Sequence, residues 1–291
     1  MTPAATPTVA RTREELARAR EELRREGASL ALVPTMGALH EGHRSLIRTA
    51  RGLAGEVAVS IFVNPLQFGP GEDFERYPRA FEADLAACAE DGVRLVFAPT
   101  QDVLYPQQPR VRVSAGELGE VFEGASRPGH FDGVLTVVMK LFHLVGPDVA
   151  VFGEKDAQQL AAIRLMAADL DLPVRVTSGA TVREPDGLAL SSRNRYLSGP
   201  ERATALALAR GLRAGETAAP GGPAAVLRAA RDVLDGAAAS DPPLLLDYLT
   251  LVEPTTFTEV GDSAGFTGTA VLAVAGRVGS TRLIDNVRIV F

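Results

Sequence analysis

The sequence predicts an α/β protein, with a parallel sheet covered by helices on both faces and a second, smaller α+β domain after it. Two features of the 291 residues point there. Short apolar runs alternate with amphipathic segments up to about residue 177, and strands that are apolar throughout, rather than at every second residue, mark a sheet buried on both faces. Polar residues gather in the loops after those runs, at the strand carboxyl ends where open α/β sheets bind ligands.

At the start of the chain, Thr12 and Glu15 stand in capping-box spacing, Leu16 and Leu23 share a face, and Gly27 stops the first helix. Strands are expected at Ser29 to Val33, Glu56 to Val63, Arg94 to Ala98, Asp148 to Phe152 and near Pro173 to Thr177. The intervening spacing predicts helices at His43 to Ala54, Arg79 to Asp91, Phe131 to Val145 and Asp156 to Leu170. Together these make a Rossmann-like domain over 1–177. Beyond Ser178, two alanine-rich helices near Pro200 to Ala218 and Pro223 to Ala238 are separated by APGGP at 219–223. Strand-like runs at Leu244 to Val252, Ala270 to Ala275 and Arg282 to Val290 complete a small α+β domain over 178–291.

Composition narrows the function classes. A hydrophobic content of 46% supports a buried core, and a formal charge of −6 argues against a nucleic-acid partner, since phosphate backbones are held by clustered lysine and arginine. The start, MTPAATPTVA, does not resemble a signal peptide, and no apolar run approaches the ~18 to 20 residues that span a bilayer, so no membrane partner is expected. The single cysteine, Cys88, cannot form an internal disulfide, which fits a reducing, cytoplasmic setting; it reads as a small buried hydrophobe. Of the 30 lysines and arginines only Lys140 and Lys155 are lysine. Lys140 reads as a snorkelling helix residue, whereas Lys155 lies in a loop where a compact ammonium can reach a phosphate.

The segment PTMGALHEGH at 34–43 sets two of the four histidines three residues apart where a strand gives way to a helix. Gly37 and Gly42 flank the bend, and the free N–H groups and dipole of a helix start attract anions. A solvated histidine pair and a metal pair are the alternatives, although zinc helices of the HExxH kind space their histidines four apart. Three more loops carry polar groups. Residues 64–79 offer Asn64 and Gln67 and a Gly/Pro-rich stretch that is either a lid or an ordinary connection. GEKDAQQ at 153–159 brings Lys155, Asp156, Gln158 and Gln159 to a helix start, with Asp156 also a candidate N-cap. Ser191, Ser192 and Arg193 follow at the domain boundary, and Arg127 with His130 adds a further candidate anion contact. No GxSxG elbow or Walker motif is present, so the chemistry points to positioning and stabilisation of a phosphate, with a substrate group as nucleophile.

In this order, PTMGALHEGH, SIFVNPLQF, RPGHFDGVLTVV, FGEKDAQQL and DGLALSSRNRYLS resemble the pantothenate synthetase (pantoate-beta-alanine ligase) family, and HEGH resembles the HxGH signature of the wider nucleotidylyltransferase superfamily. The resemblance runs from about Ser29 to Ser198 by motif and onward by layout. It implies a ligase that adenylates (R)-pantoate with ATP, releasing pyrophosphate, and then lets beta-alanine displace AMP. A nucleotidylyltransferase acting on another small acceptor is the alternative. Matched position by position, Met36, Gly37, Ala38, Leu39, His40, Glu41, Gly42 and His43 correspond to the ATP-binding block, with His43 in the place of the proton donor. Gly153, Glu154, Lys155, Asp156, Val182, Leu190, Ser191, Ser192 and Arg193 match the remaining ATP contacts, and His40, His43 and Lys155 carry the catalytic roles. Gln67 matches the residue shared by pantoate and beta-alanine, and Gln159 the second pantoate contact. The resemblance also implies Mg2+ with the ATP, a homodimer, and a C-terminal domain that closes over the active site. Asp84 is a candidate carboxylate near the metal, or else part of a solvated helix face. One departure is Ala157, where the family usually carries an aromatic residue.

Overall fold

Six parallel strands, β1 (Thr8–Ala10), β2 (Leu30–Thr35), β3 (Glu56–Ile61), β4 (Leu95–Phe97), β5 (Val149–Gly153) and β6 (Arg175–Gly179), form one sheet in the order β1-β4-β3-β2-β5-β6. The computed structural model describes residues 6–72, 74–261 and 266–291, so the first five residues of the chain and Asp73 of the 64–79 loop lie outside the described residues. Helices α1 (Arg13–Arg25), α2 (Glu41–Arg51), α3 (Phe81–Glu90), α4 (Gln101–Leu104), α5 (Glu123–Ser126), α6 (His130–Val145) and α7 (Ala157–Asp169) connect or follow the strands. The strand order reverses beside β2, where β3 and β4 lie on one side and β5 and β6 on the other. Such a reversal opens a crevice at the carboxyl ends of the two central strands. The segments after Thr35 and after Gly153 leave from that edge.

Local chemistry accounts for these elements. The α1 capping box forms as expected, with the Thr12 hydroxyl accepting from Glu15 N and the Glu15 carboxylate accepting from Thr12 N. Strand β2 runs one residue past Pro34, where the apolar run ends. Pairing with β5 stops at Leu32↔Ala150, so the proline lacks no ladder partner on that side, while pairing with β3 continues to Thr35↔Ile61. The apolar face of α2, Leu46, Ile47 and Ala50, is buried against Val33, Val59 and Val151. Gly179 admits it, because a Cβ there would overlap the Leu46 side chain. Strand β1 was not anticipated: three residues between Pro7 and Arg11 carry no periodicity, and pairing with β4 makes them a strand. Cys88 is fully buried in this core, and burial, with the nearby Asp84 and Asp91 carboxylates, pushes its thiol up to about 12, which keeps it protonated.

The chain divides into two compact units, the first reaching to Gly153 and resuming over Ala162–Gly179, the second comprising Glu154–Ala161 and Ala180–Phe291. In the second unit the antiparallel strands β7 (Leu244–Val252), β8 (Thr269–Val278) and β9 (Thr281–Val290) pack with α8 (Gly199–Thr217) and α9 (Pro223–Ala237) around Leu208, Leu212, Leu234, Leu244 and Leu272. The short segment 154–161, expected with the first domain, groups with this unit. Asn286 on β9 explains why: its Nδ2 donates to the carbonyls of Glu154 at 2.9 Å and Lys155 at 2.8 Å.

Helix α6 passes so close to the turn at Pro65–Gln67 that a Cβ on Gly133 would meet the Leu66 carbonyl oxygen and stand 2.7 Å from Gln67 N. Gly133→Ala is therefore expected to lower stability by about 1 to 3 kcal/mol, the usual cost of overpacking. A urea unfolding midpoint equal to wild type would show that the turn yields freely.

Candidate active site

Beyond β2 the chain turns through Gly37 (φ +84) and Ala38 (φ 51), both in the left-handed region. Such a turn buries main-chain N–H groups that need acceptors. Thr35 supplies one, its Oγ1 accepting from Gly37 N at 3.2 Å while donating to the Ser60 carbonyl at 2.8 Å. Asp84, on α3 and only 3% exposed, supplies the others: Oδ2 accepts from Ala38 N at 2.9 Å and Oδ1 from Leu39 N at 2.7 Å. A Cβ on Gly37 would sit 2.9 Å from Asp84 Oδ2 and 3.1 Å from Ile61 Cγ2, so this position takes glycine on grounds of space as well as dihedral.

The histidines then cap α2 reciprocally. His40 is the N-cap, its Nδ1 accepting from Gly42 N at 3.1 Å, while His43 Nδ1 accepts from His40 N at 3.4 Å. That cap starts the helix at Glu41, two residues earlier than the apolar spacing indicates. A ring nitrogen that accepts carries no proton, so these bonds assign both imidazoles the tautomer with hydrogen on Nε2. The rings lie 4.1 Å apart between centroids, tilted by 35°. The sequence suggested a cradle of free N–H groups here. The structure gives the N–H groups of Gly37, Ala38, Leu39, His40 and Gly42 protein acceptors, so these main-chain groups do not form the open cradle. Glu41, on the exposed side, pairs with Arg48.

After β3 the polar residues interlock. Asn64 is buried and bonds Gln67, the Gly133 carbonyl and the Tyr105 hydroxyl. Gln67 is half-buried, and its Nε2 approaches Met36 Sδ at 3.3 Å. His130 Nδ1 lies 2.8 Å from the Gln67 carbonyl, and Nε2 faces Arg127 Nη1 at 3.1 Å. Because the carbonyl only accepts and the guanidinium only donates, His130 is the neutral Nδ1–H tautomer. Burial, then the Arg127 charge, lowers its pKa from 6.5. Arg127 and His130 were candidates for binding an external anion. In the structure Arg127 forks onto Glu72 at 2.8 and 2.6 Å. Burial works to raise the Glu72 carboxyl, but Arg127 holds it below the usual range. Phe68 stacks edge-on against Phe74 and Tyr77, so aromatic packing and this ion pair hold the 64–79 loop.

In the second unit, Glu154–Asp156 forms a single 3-10 turn, with Lys155 Nζ 3.8 Å from Asp156 Oδ1 and Glu154 3.5 Å from Arg288. Gln158 is buried in α7, whereas Gln159 is half-exposed. Val182 and Leu190 are brought together by a hairpin, Leu190 N donating to the Val182 carbonyl at 2.9 Å, and the Ser191 hydroxyl caps the turn holding Ser192 and Arg193 by accepting from Arg193 N at 3.3 Å. Arg183 ties the hairpin to β9 through a two-point pair with the buried Asp285, at 2.6 and 3.0 Å. Asp285, Asn286, Arg183 and Tyr105 were not anticipated. The one signal was two adjacent polar residues inside the apolar run RLIDNVRIV.

The match to known proteins decides the kinship. A family model described as pantoate-beta-alanine ligase matches residues 8–288. The chain belongs to the pantoate-beta-alanine ligase family. It is 62% identical over 288 residues to the pantothenate synthetase of Thermobifida fusca, covering 97% of this chain and 95% of that protein. Among solved structures it is similar to the pantothenate synthetase of Thermus thermophilus, with 47% identity, a TM-score of 0.87, and coverage of 96% and 98% of the two chains. It is also similar to the pantoate-beta-alanine ligase of Francisella tularensis, complexed with beta-gamma ATP and beta-alanine, with 30% identity, a TM-score of 0.78 and coverage of 97% of each chain. The parallel α/β sheet with its small antiparallel domain is the architecture of these ligases.

Within the ligase, Asp84 has a turn to hold. Asp84→Ala leaves the part-buried N–H groups of Ala38 and Leu39 without their acceptor and is expected to cost about 1 to 3 kcal/mol in urea unfolding. Unchanged stability would show that water replaces the carboxylate. His130 gives a pH dependence: its folded-state pKa lies below 6.5, so the unfolded chain takes up more protons as the pH falls through that value and stability declines. His130→Gln should flatten the slope of unfolding midpoint against pH between about pH 7 and about pH 5. An unaltered slope would assign it to other groups.

Proposed function

We propose that this chain condenses (R)-pantoate with beta-alanine, using ATP and passing through pantoyl adenylate. The family membership carries that reading, and the side chains present suit the chemistry. A carboxylate is a poor acyl donor until its oxygen becomes part of a good leaving group. In the first step a pantoate carboxylate oxygen attacks the α-phosphorus; the new P–O bond forms as the α–β bridging P–O bond breaks and pyrophosphate leaves. In the second step the beta-alanine amine attacks the acyl carbon, the C–N bond forms, AMP leaves with the electrons of the broken C–O bond, and the ammonium loses a proton.

In this reading His40 and His43 donate hydrogen bonds through Nε2–H to phosphate oxygens, and Lys155, Ser191, Ser192 and Arg193 add charge and donors where negative charge builds. Glu154, Asp156, Val182 and Leu190 shape that part of the site, and Gln67 and Gln159 receive pantoate. A neutral imidazole donating through Nε2 acts by electrostatic stabilisation, which favours that role for His43 over proton transfer. Magnesium enters with the nucleotide. The described residues contain no group of three or more His, Cys, Asp or Glu able to hold a metal, and both Asp84 oxygens are engaged, so these residues do not fit a protein-held ion. A homodimer and a cytoplasmic setting follow from the family resemblance. No helix among the described residues is long and apolar enough to cross a membrane.

Exchange of labelled pyrophosphate into ATP, measured with pantoate and without beta-alanine, tests the reading. Pantoate-dependent exchange is expected, with a loss on the order of a hundredfold or more in His43→Ala and in Lys155→Ala at unchanged circular dichroism. Exchange that ignores pantoate would point to a nucleotidylyltransferase with another acceptor, and no exchange by folded protein would sink the adenylate route.

A further inference from the structure

We propose that Tyr105 is a positioning residue for this reaction: acting through Asn64, its hydroxyl fixes the side-chain amide of Gln67 with the Nε2 donor facing the acid substrate. The role rests on the ligase reading, in which Gln67 receives pantoate.

The orientation follows from partners that can act in only one sense. Asn64 is 1% exposed, so its amide has no solvent to turn toward. Leu66 N–H, 3.3 Å from Oδ1, can only donate, and the Gly133 carbonyl, 3.0 Å from Nδ2, can only accept. Asn64 is thus held with oxygen and nitrogen assigned. The second hydrogen of Nδ2 is directed at Gln67, 3.1 Å away, and the atom receiving it must be an acceptor, Oε1. Gln67 is left with Nε2 on its outer side, toward Met36 Sδ. A carboxylate or hydroxyl oxygen arriving there meets a donor; in the flipped amide it would meet a carbonyl oxygen.

Tyr105 secures the first link. Its hydroxyl lies 2.9 Å from Asn64 Oδ1, 41 residues earlier in the chain, and is the second donor to that oxygen. Burial raises the phenol pKa, so the group keeps its proton at any working pH. The ring is itself held: Phe62 stands edge-on at 6.0 Å, and Lys140 Nζ lies 5.5 Å from the ring centroid. Without the hydroxyl, Oδ1 keeps only the longer bond from Leu66, the Gly133 carbonyl at 3.0 Å is left as the main restraint on the amide, and the Asn64 and Gln67 amides gain freedom to turn together.

Steady-state exchange kinetics test this with Tyr105→Phe, which retains the ring. The pantoate KM is expected to rise about tenfold, the scale of one hydrogen bond, with the ATP KM unchanged. In a Gln67→Ala background the same substitution should have no further effect on the pantoate KM, because the group it orients is gone. Independent, multiplying effects in the double variant, or equal changes in both KM values, would overturn the role, as would a pantoate KM unchanged in Tyr105→Phe. Gln67→Glu gives a second test that leaves Tyr105 in place: it keeps an acceptor for Asn64 and turns an oxygen outward, so its pantoate KM should exceed that of Gln67→Ala. An equal or lower value overturns the proposal. Wild-type protein without pantoate-dependent exchange would overturn the ligase reading and this role together, whereas the variant outcomes overturn the role alone.

Discussion

Both oxygens of the buried Asp84 carboxylate end on main-chain N–H groups of one turn, and the geometry of the histidine loop follows from that anchorage. The chain leaving β2 has to pass through the left-handed region at Gly37 and Ala38, a conformation that is costly for any residue with a side chain. Charge-assisted bonds to the two N–H groups are stronger than neutral ones, and they offset that cost at the place where it is incurred. With the turn held, His40 falls at the head of α2 and the two imidazoles complete each other's caps. With Nδ1 accepting in both caps, each ring carries its hydrogen on Nε2.

Each unit supports its polar side chains by the same device: a residue distant in sequence and buried in the core bonds the main chain or side chain of a loop residue. Tyr105 and Gly133 hold Asn64 in the first unit, and Asp285 and Asn286 hold Arg183 and the turn of Lys155 in the second. Such pairs are fixed at both ends by packing, so the side chains they carry lose little freedom when a ligand arrives.

Much of the sheet was legible because its signal is local. Apolar runs and helical spacing placed β2 to β6 and the main helices to within a few residues, and the last three strands lay where the alternation put them. What escaped was decided by a partner outside any window or by an unusual local cap. Three residues at Thr8–Ala10 become a strand because β4 lies beside them, and α2 begins early because an imidazole, rather than a serine or aspartate, serves as its cap. The candidate site is read from the sequence as residue types at loop positions. The second layer is not, since Tyr105 and Asn286 stand in the sequence as ordinary polar residues beside apolar ones. Asp84 reads from the sequence as a carboxylate near a metal or as part of a solvated helix face; it is instead buried, and its attachment to main-chain N–H groups depends on α3 lying against that turn.

The turn of Lys155 has a further consequence for the timing of assembly. Its two carbonyls are bonded by an amide 131 and 132 positions later in the chain. During synthesis at about 5 to 20 residues per second, the lysine leaves the ribosome many seconds before its holder is made. A nascent chain in that interval possesses the cation but not the bonds that place it. The turn thus acquires these two bonds only once β9 is complete, and loss of this strand from the finished protein would remove them without touching the lysine.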